Sequence, residues 1–264
     1  MSKVRSLSEA MQRIPDGALL GLGGNTLNRA PMAAVMELAR LKKRGLRLVK
    51  TAGGMDVDLL CFAGCVASVD AGFISYETEY GLCQHYRRAV EAGTVQANEH
   101  ACYTVMSALR AAGYGIPFMP VRGLQETDLA DANDYFAKVQ DPFTGEWLRA
   151  VRALRPEVCI LHAHMADEHG NALIEGPVYD DLLLSRASDM VIITAERLVS
   201  EGFFAGSSQK ANIPHFLVDT VVHTPRGASP NACYGAYEVQ DDDIRSFLAL
   251  SSAEELDEWL QRRR

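Results

Sequence analysis

The sequence predicts an α/β protein built on an open, largely parallel sheet with flanking helices. Short apolar runs alternate with helical stretches along the chain, and few long linkers separate them. Some of the apolar runs end in glycine, as in "ALLGLGG" and "LRLVKTAGG", which is typical of a strand that enters a tight turn. We expect one domain over residues 1–264, because α/β folds of this length often form a single domain.

Several helices of the first half have recognisable ends. Pro31 is placed to begin a helix, because its fixed φ suits the first helical position. Gly45, Gly93 and Gly113 follow helical stretches, as glycines at helix ends do. The predicted elements are strand 18–24, helix 31–45, strand 46–54, short helix 57–64, strand 67–75, helix 80–93, a strand ending in "TVQAN", and helix 99–112.

An irregular insertion is predicted over residues 119–150. It carries Asp128, Asp131 and Asp134 and then the turn "DPFTGE", and its length is typical of a functional loop. The alternation then resumes with strand-like 158–172, helix-like 180–188, strand-like 190–199 and 215–225, and helix-like 253–263. Ligands of open parallel sheets bind at the carboxyl ends of the strands, which is where Gly23–Gly24, Gly53–Gly54 and Ser75–Glu79 fall.

Composition and charge argue against several classes of function. The net charge is −8, whereas a general nucleic-acid surface needs clustered Lys and Arg. No apolar run approaches the ~20 residues that span a bilayer, so we expect no membrane association and a cytoplasmic location. The six cysteines lie singly in apolar segments, as reduced thiols do, and Cys61 and Cys65 lack the further ligands of a zinc site.

The stretch "GLGGNTLNRAP", from Gly21 to Pro31, is a candidate binding loop. Adjacent glycines leave backbone N–H groups uncovered and a helix N-terminus adds partial positive charge, so an anion or oxyanion can rest there. A tight strand-to-helix turn without a ligand accounts for the same pattern. The spacing fits neither the dinucleotide-binding fingerprint nor a nucleotide phosphate loop.

Five segments carry a resemblance to a known family. "GGNTLNRAP" resembles the Gly-Gly, six residues, Pro signature of the α subunit of family I coenzyme A transferases. "TAGGMDVDLLCFAG", "GIPFMPVRG", "LHAHMADEHGNA" and "IPHFLVDTVVHTPRGASPNACYGAY" are similar to that subunit of the glutaconate CoA-transferase type, in the same order. The resemblance covers roughly Val4 to Leu260 and implies the NagB/RpiA/CoA transferase-like fold.

The resemblance implies a two-chain enzyme that moves CoA between an acyl-CoA and a carboxylic acid, expected to be dicarboxylic. In this family a glutamate carboxylate attacks the thioester and carries CoA as a glutamyl thioester. That glutamate usually belongs to the β subunit, so we expect a β-subunit partner and an αβ or α2β2 assembly. Glu201 in "SEGFF" only looks like the β-subunit motif and is expected to be structural. The CoA thioester is a substrate, and no permanently bound cofactor is expected.

By resemblance, this chain supplies the other half of the site. Gly23, Gly24 and Asn25 would form a glycine loop facing the thioester, with backbone N–H groups that stabilise an oxyanion. Arg29 would pair with a substrate carboxylate, or lie exposed on the loop. The other substrate-binding candidates are Gly53 and Gly54 near the acyl group and Ser75 and Glu77 near the second acid, while Glu79 is expected in a solvated turn.

His162, His164 and His169 crowd one segment, and alternating histidines on a strand can bind a metal. The resemblance instead implies a buried strand that ends in an Asp-x-x-Gly-Asn turn. We therefore expect no metal site.

Glu99 is the candidate catalytic residue of a second hypothesis. The α subunits of steroid ring-opening CoA hydrolases resemble the same segments, and a glutamate in this region is expected to act there as a general base. The helix "HACYTVMSAL" lacks acids that those hydrolases carry, and a carboxylate at a helix N-terminus is favourable without any catalytic role. A small-molecule sensor module is a third hypothesis, although no helix-turn-helix segment or basic face is visible.

Overall fold

The computed structural model describes residues 2–124, 126–131, 134–207 and 210–263 and has the predicted α/β architecture. Its strands are β1 (Leu19–Leu22), β2 (Leu46–Gly53), β3 (Val66–Ile74), β4 (Gln96–Glu99), β5 (Phe118–Val121), β6 (Phe136–Gln140), β7 (Trp147–Arg152), β8 (Val158–Asp167), β9 (Ala172–Leu173), β10 (Met190–Val199) and β11 (Thr220–His223). The central sheet has parallel strands in the order β11-β10-β8-β1-β2-β3-β4, and β9 pairs antiparallel with β8.

Helices cover both faces of the central sheet. They are α1 (Leu7–Gln12), α2 (Met32–Arg40), α3 (Met55–Phe62), α4 (Glu77–Tyr80), α5 (Gln84–Glu91), α6 (Cys102–Gly113), α7 (Asp181–Ala187), α8 (Phe203–Gly206), α9 (Asp241–Leu248) and α10 (Ala253–Gln261). The core around α2 and α3 includes Leu48, whereas the core around α6 and α7 includes Val49. Because both faces are covered, the inner strands are apolar along most of their length. Within the described ranges, no helix has the length and apolar character to cross a bilayer.

The strand order changes direction at β1. From β1 the sheet extends through β2 and β3 to β4, and the later strands β8, β10 and β11 lie on the other side of β1. In open parallel sheets, the crevice beyond the carboxyl ends of the strands at such a point is where ligands bind. The glycine-rich turn that follows β1 lies at this point.

The insertion predicted to be irregular contains a second, antiparallel sheet. Its strands lie in the order β5-β7-β6, and "DPFTGE" joins β6 to β7 as a hairpin in which the Asp141 N–H donates to the Glu146 carbonyl at 2.9 Å. The prediction of an irregular connection is therefore wrong for these three segments. β5 contains Pro120, and β6 and β7 carry charged residues at exposed positions, so a regular alternation of apolar and polar residues does not stand out.

Two helix boundaries differ from the prediction. Glu99 is the last residue of β4, and α6 begins only at Cys102, so Glu99 does not lie in a helical turn. The helix after Pro31 ends at Arg40, several residues before Gly45. Pro31 occupies the N-cap of this helix, directly before its first residue, Met32.

Candidate functional site

The loops that follow β1, β2 and β3 meet at one edge of the central sheet. We call residues 23–29, after β1, the glycine turn. The N–H of Thr26 donates to the β2 carbonyl that precedes Gly53, at 3.0 Å, and the N–H of Ser75 donates to the Gly53 carbonyl at 3.1 Å. The Thr26 hydroxyl also donates to Oε1 of Glu77 at 2.8 Å. Candidate residues from three separate segments are thus brought together.

Close packing requires glycine at the start of the glycine turn. A Cβ atom on Gly23 would overlap the carboxylate of Asp181. Gly24 has a φ of +73°, and a Cβ atom there would overlap the backbone of Arg29. The two adjacent glycines therefore let the chain reverse tightly against the sheet.

Gly53 and Gly54 are buried at the end of β2, where their contacts are with protein atoms. A Cβ atom on Gly53 would lie 2.7 Å from side-chain atoms of Ile74 and Val57, and one on Gly54 would lie 3.2 Å from the Thr26 carbonyl oxygen. These glycines bring β2 close to the glycine turn. Their predicted approach to an acyl group stays a prediction.

The three backbone N–H groups predicted to stabilise an oxyanion all have acceptors within the protein. Gly23 donates to the Ile160 carbonyl, Gly24 to Oδ1 of Asp181 and Asn25 to the Asn28 carbonyl, each at 2.9 Å. An oxyanion would have to replace one of these acceptors. The oxyanion role of these groups therefore stays a prediction, and it requires the turn to rearrange when substrate binds.

Arg29 is buried beneath the glycine turn with 1% exposure, which contradicts the alternative of an exposed loop arginine. Its guanidinium pairs with Asp181 at 2.5 Å and donates to the carbonyls of His162 at 2.9 Å and Pro177 at 3.0 Å. Because its charge is already balanced by a carboxylate of the same chain, the geometry gives no support to pairing with a substrate carboxylate. Arg29 instead fastens the turn to the sheet.

Sequence reasoning missed a second buried ion pair next to the turn. The ammonium of Lys50 lies 3.0 Å from Oδ2 of Asp56, both side chains are fully buried, and Lys50 also donates to the Gly23 carbonyl. The signal was a lysine within the apolar run "LRLVKTAGG", since a lone charge in a buried strand needs a partner. Asp181, in the run "DDLLLSRAS", carried the same kind of signal.

Glu77 is an exposed carboxylate in a strained position at the end of β3. Its φ is +61°, and Thr26, to which it is hydrogen bonded, has a φ of +42°. The Ser75 hydroxyl accepts the Glu77 N–H at 3.0 Å and so supports this conformation. Positive φ values outside glycine are unfavourable and cluster at functional sites. Because Glu77 is also exposed, it is the best candidate here to contact a substrate, whereas Thr26 is buried with 6% exposure.

Glu99 lies at an open cleft beside the ends of β3 and β4. The cleft has a volume of about 280 Å³ and is lined by Ala71, Gly72, Phe73, Ile74, Tyr86, Ala97, Asn98, Glu99, His100 and Leu129. The Glu99 side chain is exposed, and His100 beside it is buried against Asp70, with 3.3 Å between Nε2 and Oδ1. A carboxylate at a cleft mouth is accessible to water and substrate, but this position alone does not identify the group with which it would react.

His162 belongs to a hydrogen-bonded cluster between β8 and β10. Its Nε2 lies 2.8 Å from Oε1 of Glu196, and its Nδ1 lies 2.9 Å from the Thr194 hydroxyl. Burial alone would raise the pKa of Glu196, but hydrogen bonds from His162 and Tyr237 outweigh it and lower the pKa to about 2. Burial raises the pKa of the nearby Cys233 thiol to about 12.

A metal could in principle be held by His162, Glu196 and Cys233, whose ligand atoms lie within 4.8 Å of one another. The chemistry of this set disfavours one, because the imidazole and carboxylate already bond each other and the thiol is held neutral. His164 Nε2 lies 2.8 Å from the Tyr234 carbonyl oxygen. His169, 3.2 Å from Glu201, forms with Glu168 a second group whose ligand atoms lie within 4.8 Å of one another, but both carboxylates are exposed and such groups are common without an ion. The histidine segment therefore fits a buried strand and turn.

Sequence comparison finds one family over most of the chain. The family model described as Coenzyme A transferase matches residues 4–224. The chain is 29% identical to a glutaconate CoA-transferase subunit of Acidaminococcus fermentans, over 97% of this chain and 85% of that one. It is 31% identical to the cholesterol ring-cleaving hydrolase IpdA subunit of Rhodococcus jostii, over 84% of this chain and 78% of that one. An uncharacterised protein of Archaeoglobus fulgidus is 34% identical over 96% of this chain, which spans 57% of that protein's length.

Solved structures of other proteins match the chain along nearly its whole length. The crystal structure of a variant of the decarboxylase AibA/AibB has a TM-score of 0.89 and 37% identity, covering 99% of this chain and 98% of that one. The crystal structure of glutaconate coenzyme A-transferase from Acidaminococcus fermentans has a TM-score of 0.92 and 28% identity, covering 99% of this chain and 88% of that one. The central sheet and its flanking helices are shared with both.

Proposed function

Because the chain belongs to the coenzyme A transferase family, we propose that it is the α subunit of a heteromeric CoA-transferase. The enzyme moves CoA from an acyl-CoA to a carboxylic acid. One observation of the structure carries the proposal: the ends of β1, β2 and β3 converge on a glycine turn that buried ion pairs hold at the switch point of the sheet. The 29% identity to the glutaconate CoA-transferase subunit of Acidaminococcus fermentans supports the assignment.

The proposed mechanism divides the reaction between two chains. A glutamate carboxylate of the partner attacks the acyl-CoA thioester, which expels the CoA thiolate and leaves a mixed anhydride. The thiolate attacks the glutamyl carbonyl, so the first acid leaves and a glutamyl-CoA thioester forms. A second carboxylate attacks this thioester, and the same steps in reverse give the new acyl-CoA and free the glutamate. This chain forms the facing wall with the glycine turn and with the Glu77 and Thr26 side chains. Glu201, whose surroundings resemble the nucleophile motif, is exposed and pairs with His169 after β10, away from the turn that follows β1.

We propose a carboxylic acid as the acceptor and do not extend the proposal to a dicarboxylic acid. A second carboxylate on the substrate would need a cation, and Arg29, the candidate from this chain, is balanced by Asp181. The partner chain would then have to supply any such cation. The assembly proposed is αβ or α2β2, located in the cytoplasm, with CoA present only as part of the substrate.

The proposal is tested by assaying the chain copurified with the product of its neighbouring gene. We expect release of free CoA to be slow without an acceptor acid, and a new acyl-CoA to form when a carboxylic acid is added. Mass spectrometry of the thioesters follows both. Product formation at the same rate with and without the acceptor acid would contradict the proposal.

A second candidate is ring-opening hydrolysis of a carbon–carbon bond in a cyclic CoA thioester, with Glu99 as the general base. Two observations favour it: the hydrolase IpdA subunit is 31% identical, and Glu99 is exposed at the mouth of a cleft. In this case breakdown would need no acceptor and would fall by about 100-fold or more in Glu99→Gln, which lacks the proton-accepting carboxylate. If the enzyme is a transferase, the Glu99→Gln variant should transfer CoA at a rate within about threefold of the wild-type rate.

A third candidate is decarboxylation of an acid bound as its CoA ester. The match to the decarboxylase AibA/AibB favours it, with higher identity than the match to the transferase structure. The same assay separates it from the others, because it alone releases CO2 while the CoA thioester stays intact.

A further inference from the structure

The segment 225–237, which we call the late loop, lies between β11 and α9 and is closed by a single carboxylate. Oε1 of Glu196, near the end of β10, accepts from Nε2 of His162 at 2.8 Å, from the Tyr237 hydroxyl at 2.5 Å and from the Gly227 N–H at 3.2 Å. Oε2 accepts from the Arg226 N–H at 2.7 Å. The carboxylate thus bonds to both the beginning and the end of the late loop.

The middle of the late loop lies against the glycine turn. The Arg29 N–H donates to the Ala232 carbonyl at 2.7 Å, and the Ala232 N–H donates to the Leu27 carbonyl at 2.9 Å. The Asn231 side chain donates to the Thr26 carbonyl at 3.3 Å. The late loop therefore runs alongside the part of the turn that follows Gly23 and Gly24, and its hydrogen bonds support that part.

Only a carboxylate can satisfy this set of donors. Four donors converge on Glu196, three on one oxygen and one on the other, and Tyr237 in turn accepts the Ala228 N–H at 3.0 Å. An amide at this position has one acceptor oxygen, so its NH2 group would face either the Arg226 N–H or the other three donors. The side chain is 13% exposed, so water cannot easily substitute for the lost acceptor.

We propose that Glu196 is a positioning residue for the glycine turn, acting through the late loop. It fastens the two ends of the late loop, and the loop holds the turn at the position where the thioester is to react. The expected effect on catalysis rests on the proposed function. The expected effect on the order of the turn does not. Among the described residues, the hydrogen bonds of the Glu196 carboxylate go to His162 and the late loop and none goes to the turn, so we expect its effect on Thr26 to Arg29 to pass through the late loop.

The test uses Glu196→Gln in the complex with the partner chain, and Glu201→Gln as the matched control. Glu201 is an exposed glutamate just after the same strand, outside the late loop. Hydrogen exchange of the hydrogen-bonded amides of Asn28 and Arg29 should quicken by at least about tenfold in Glu196→Gln and stay unchanged in Glu201→Gln. Amides of α2 and α6 should exchange as in the wild type, which separates loss of positioning from loss of folding.

The kinetic arm compares kcat with KM. Displacement of the turn from the reacting thioester should lower kcat by about 10- to 100-fold while KM for the acyl-CoA changes by less than about threefold. Tyr237→Phe removes one of the four donors and should have a smaller effect of the same kind. The double variant should be no slower than Glu196→Gln alone, because both changes release the same loop.

Unchanged exchange of the glycine turn in Glu196→Gln would overturn the proposal, whatever the activity. So would a uniform rise in exchange over the whole chain. Because the exchange arm needs no turnover, the proposal remains testable if the wild-type complex shows no CoA transfer, which would refute only the proposed function.

Discussion

The buried charged side chains at the candidate site pair with one another and hold the glycine turn in place. Arg29 with Asp181 and Lys50 with Asp56 are buried to 1% exposure or less, and each pair contacts the glycine turn. A buried charge is costly unless its partner stays with it, so these pairs fix the turn relative to the strands. Glu77 is the exposed candidate for substrate contact, and it is hydrogen bonded to Thr26, which is buried in the turn with 6% exposure.

Loss of one partner in the Lys50–Asp56 pair should destabilise the fold. Lys50→Met leaves the Asp56 carboxylate buried without its cation, which we expect to lower the free energy of unfolding by about 3–5 kcal/mol. Replacing both, as Lys50→Met with Asp56→Leu, should cost less than the single change, because no lone charge remains. Urea denaturation of the copurified complex measures both.

The matched control is the exposed pair Lys42–Asp257, whose charged atoms lie 3.3 Å apart with side chains 70% and 49% exposed. Lys42→Met should leave the unfolding midpoint nearly unchanged, because water screens this pair. Equal effects of Lys42→Met and Lys50→Met would show that burial does not set the strength of these interactions.

Asp58 should make stability fall as the pH rises through the mildly acidic range. Burial raises the pKa of Asp58 to about 6, above its ordinary 3.8, and hydrogen bonds from Tyr86 and Tyr76 oppose the shift only partly. The folded chain therefore holds the proton more tightly than the unfolded chain does. The resulting stabilisation is complete below about pH 4 and is lost as the pH rises through about 6.

The comparison with Asp58→Asn isolates this effect. From pH 4.5 to pH 7.5, the wild type should lose about 2 kcal/mol of unfolding free energy relative to the variant, which has no proton to lose at this site. Urea denaturation at both pH values measures the difference. A constant difference between the two proteins would contradict the assigned pKa.

At the scale of elements, sequence patterns predicted the strands that are buried on both faces and the turns that end them. Gly23 and Gly24 marked the end of β1, and Pro31 marked the start of α2 one residue early. The strands of the insertion were missed, because half-exposed strands carry charged residues that hide their alternation. Hydrogen bonds between neighbouring strands, such as the one from the Lys50 ammonium to the Gly23 carbonyl, could not be predicted, because they depend on the order of the strands in the sheet.

The glycine turn should not tolerate a side chain at Gly24. Gly24→Ala places a methyl group against the Arg29 backbone and also imposes a positive φ on alanine. We expect transfer activity to fall by at least about tenfold, because the turn must move to admit the methyl group. Steady-state assays of the complex measure this loss.

Gly64→Ala is the control for the backbone effect alone. Gly64 has a similar φ of +68°, but none of the described residues lies within 4 Å of its Cβ position. This variant should show only the cost of the φ value, about 1–2 kcal/mol of stability, and should keep its activity. If both variants lost activity equally, the close approach at Gly24 would have no functional meaning.

At the scale of the whole molecule, the fold was predictable and the chemistry only in part. Alternating strands and helices indicated the parallel sheet, and the order of five segments indicated the family that the comparison then showed. The site residues from β1, β2 and β3 do meet, but Arg29 proved buried and the predicted oxyanion donors proved occupied. These outcomes depend on contacts between distant segments, which spacing along one chain does not encode.

The central claim is that the nucleophile of the reaction lies on a partner chain and that this chain builds the wall opposite it. The most direct measurement is intact mass spectrometry of both chains after the copurified complex has reacted with an acyl-CoA and then with hydroxylamine. Hydroxylamine converts a glutamyl thioester to a stable hydroxamate and frees CoA, so it marks the chain that carried the CoA. We predict a hydroxamate on the partner and none on this chain. A hydroxamate on this chain would contradict the account. So would loss of the acyl-CoA before hydroxylamine is added, with neither chain marked afterwards.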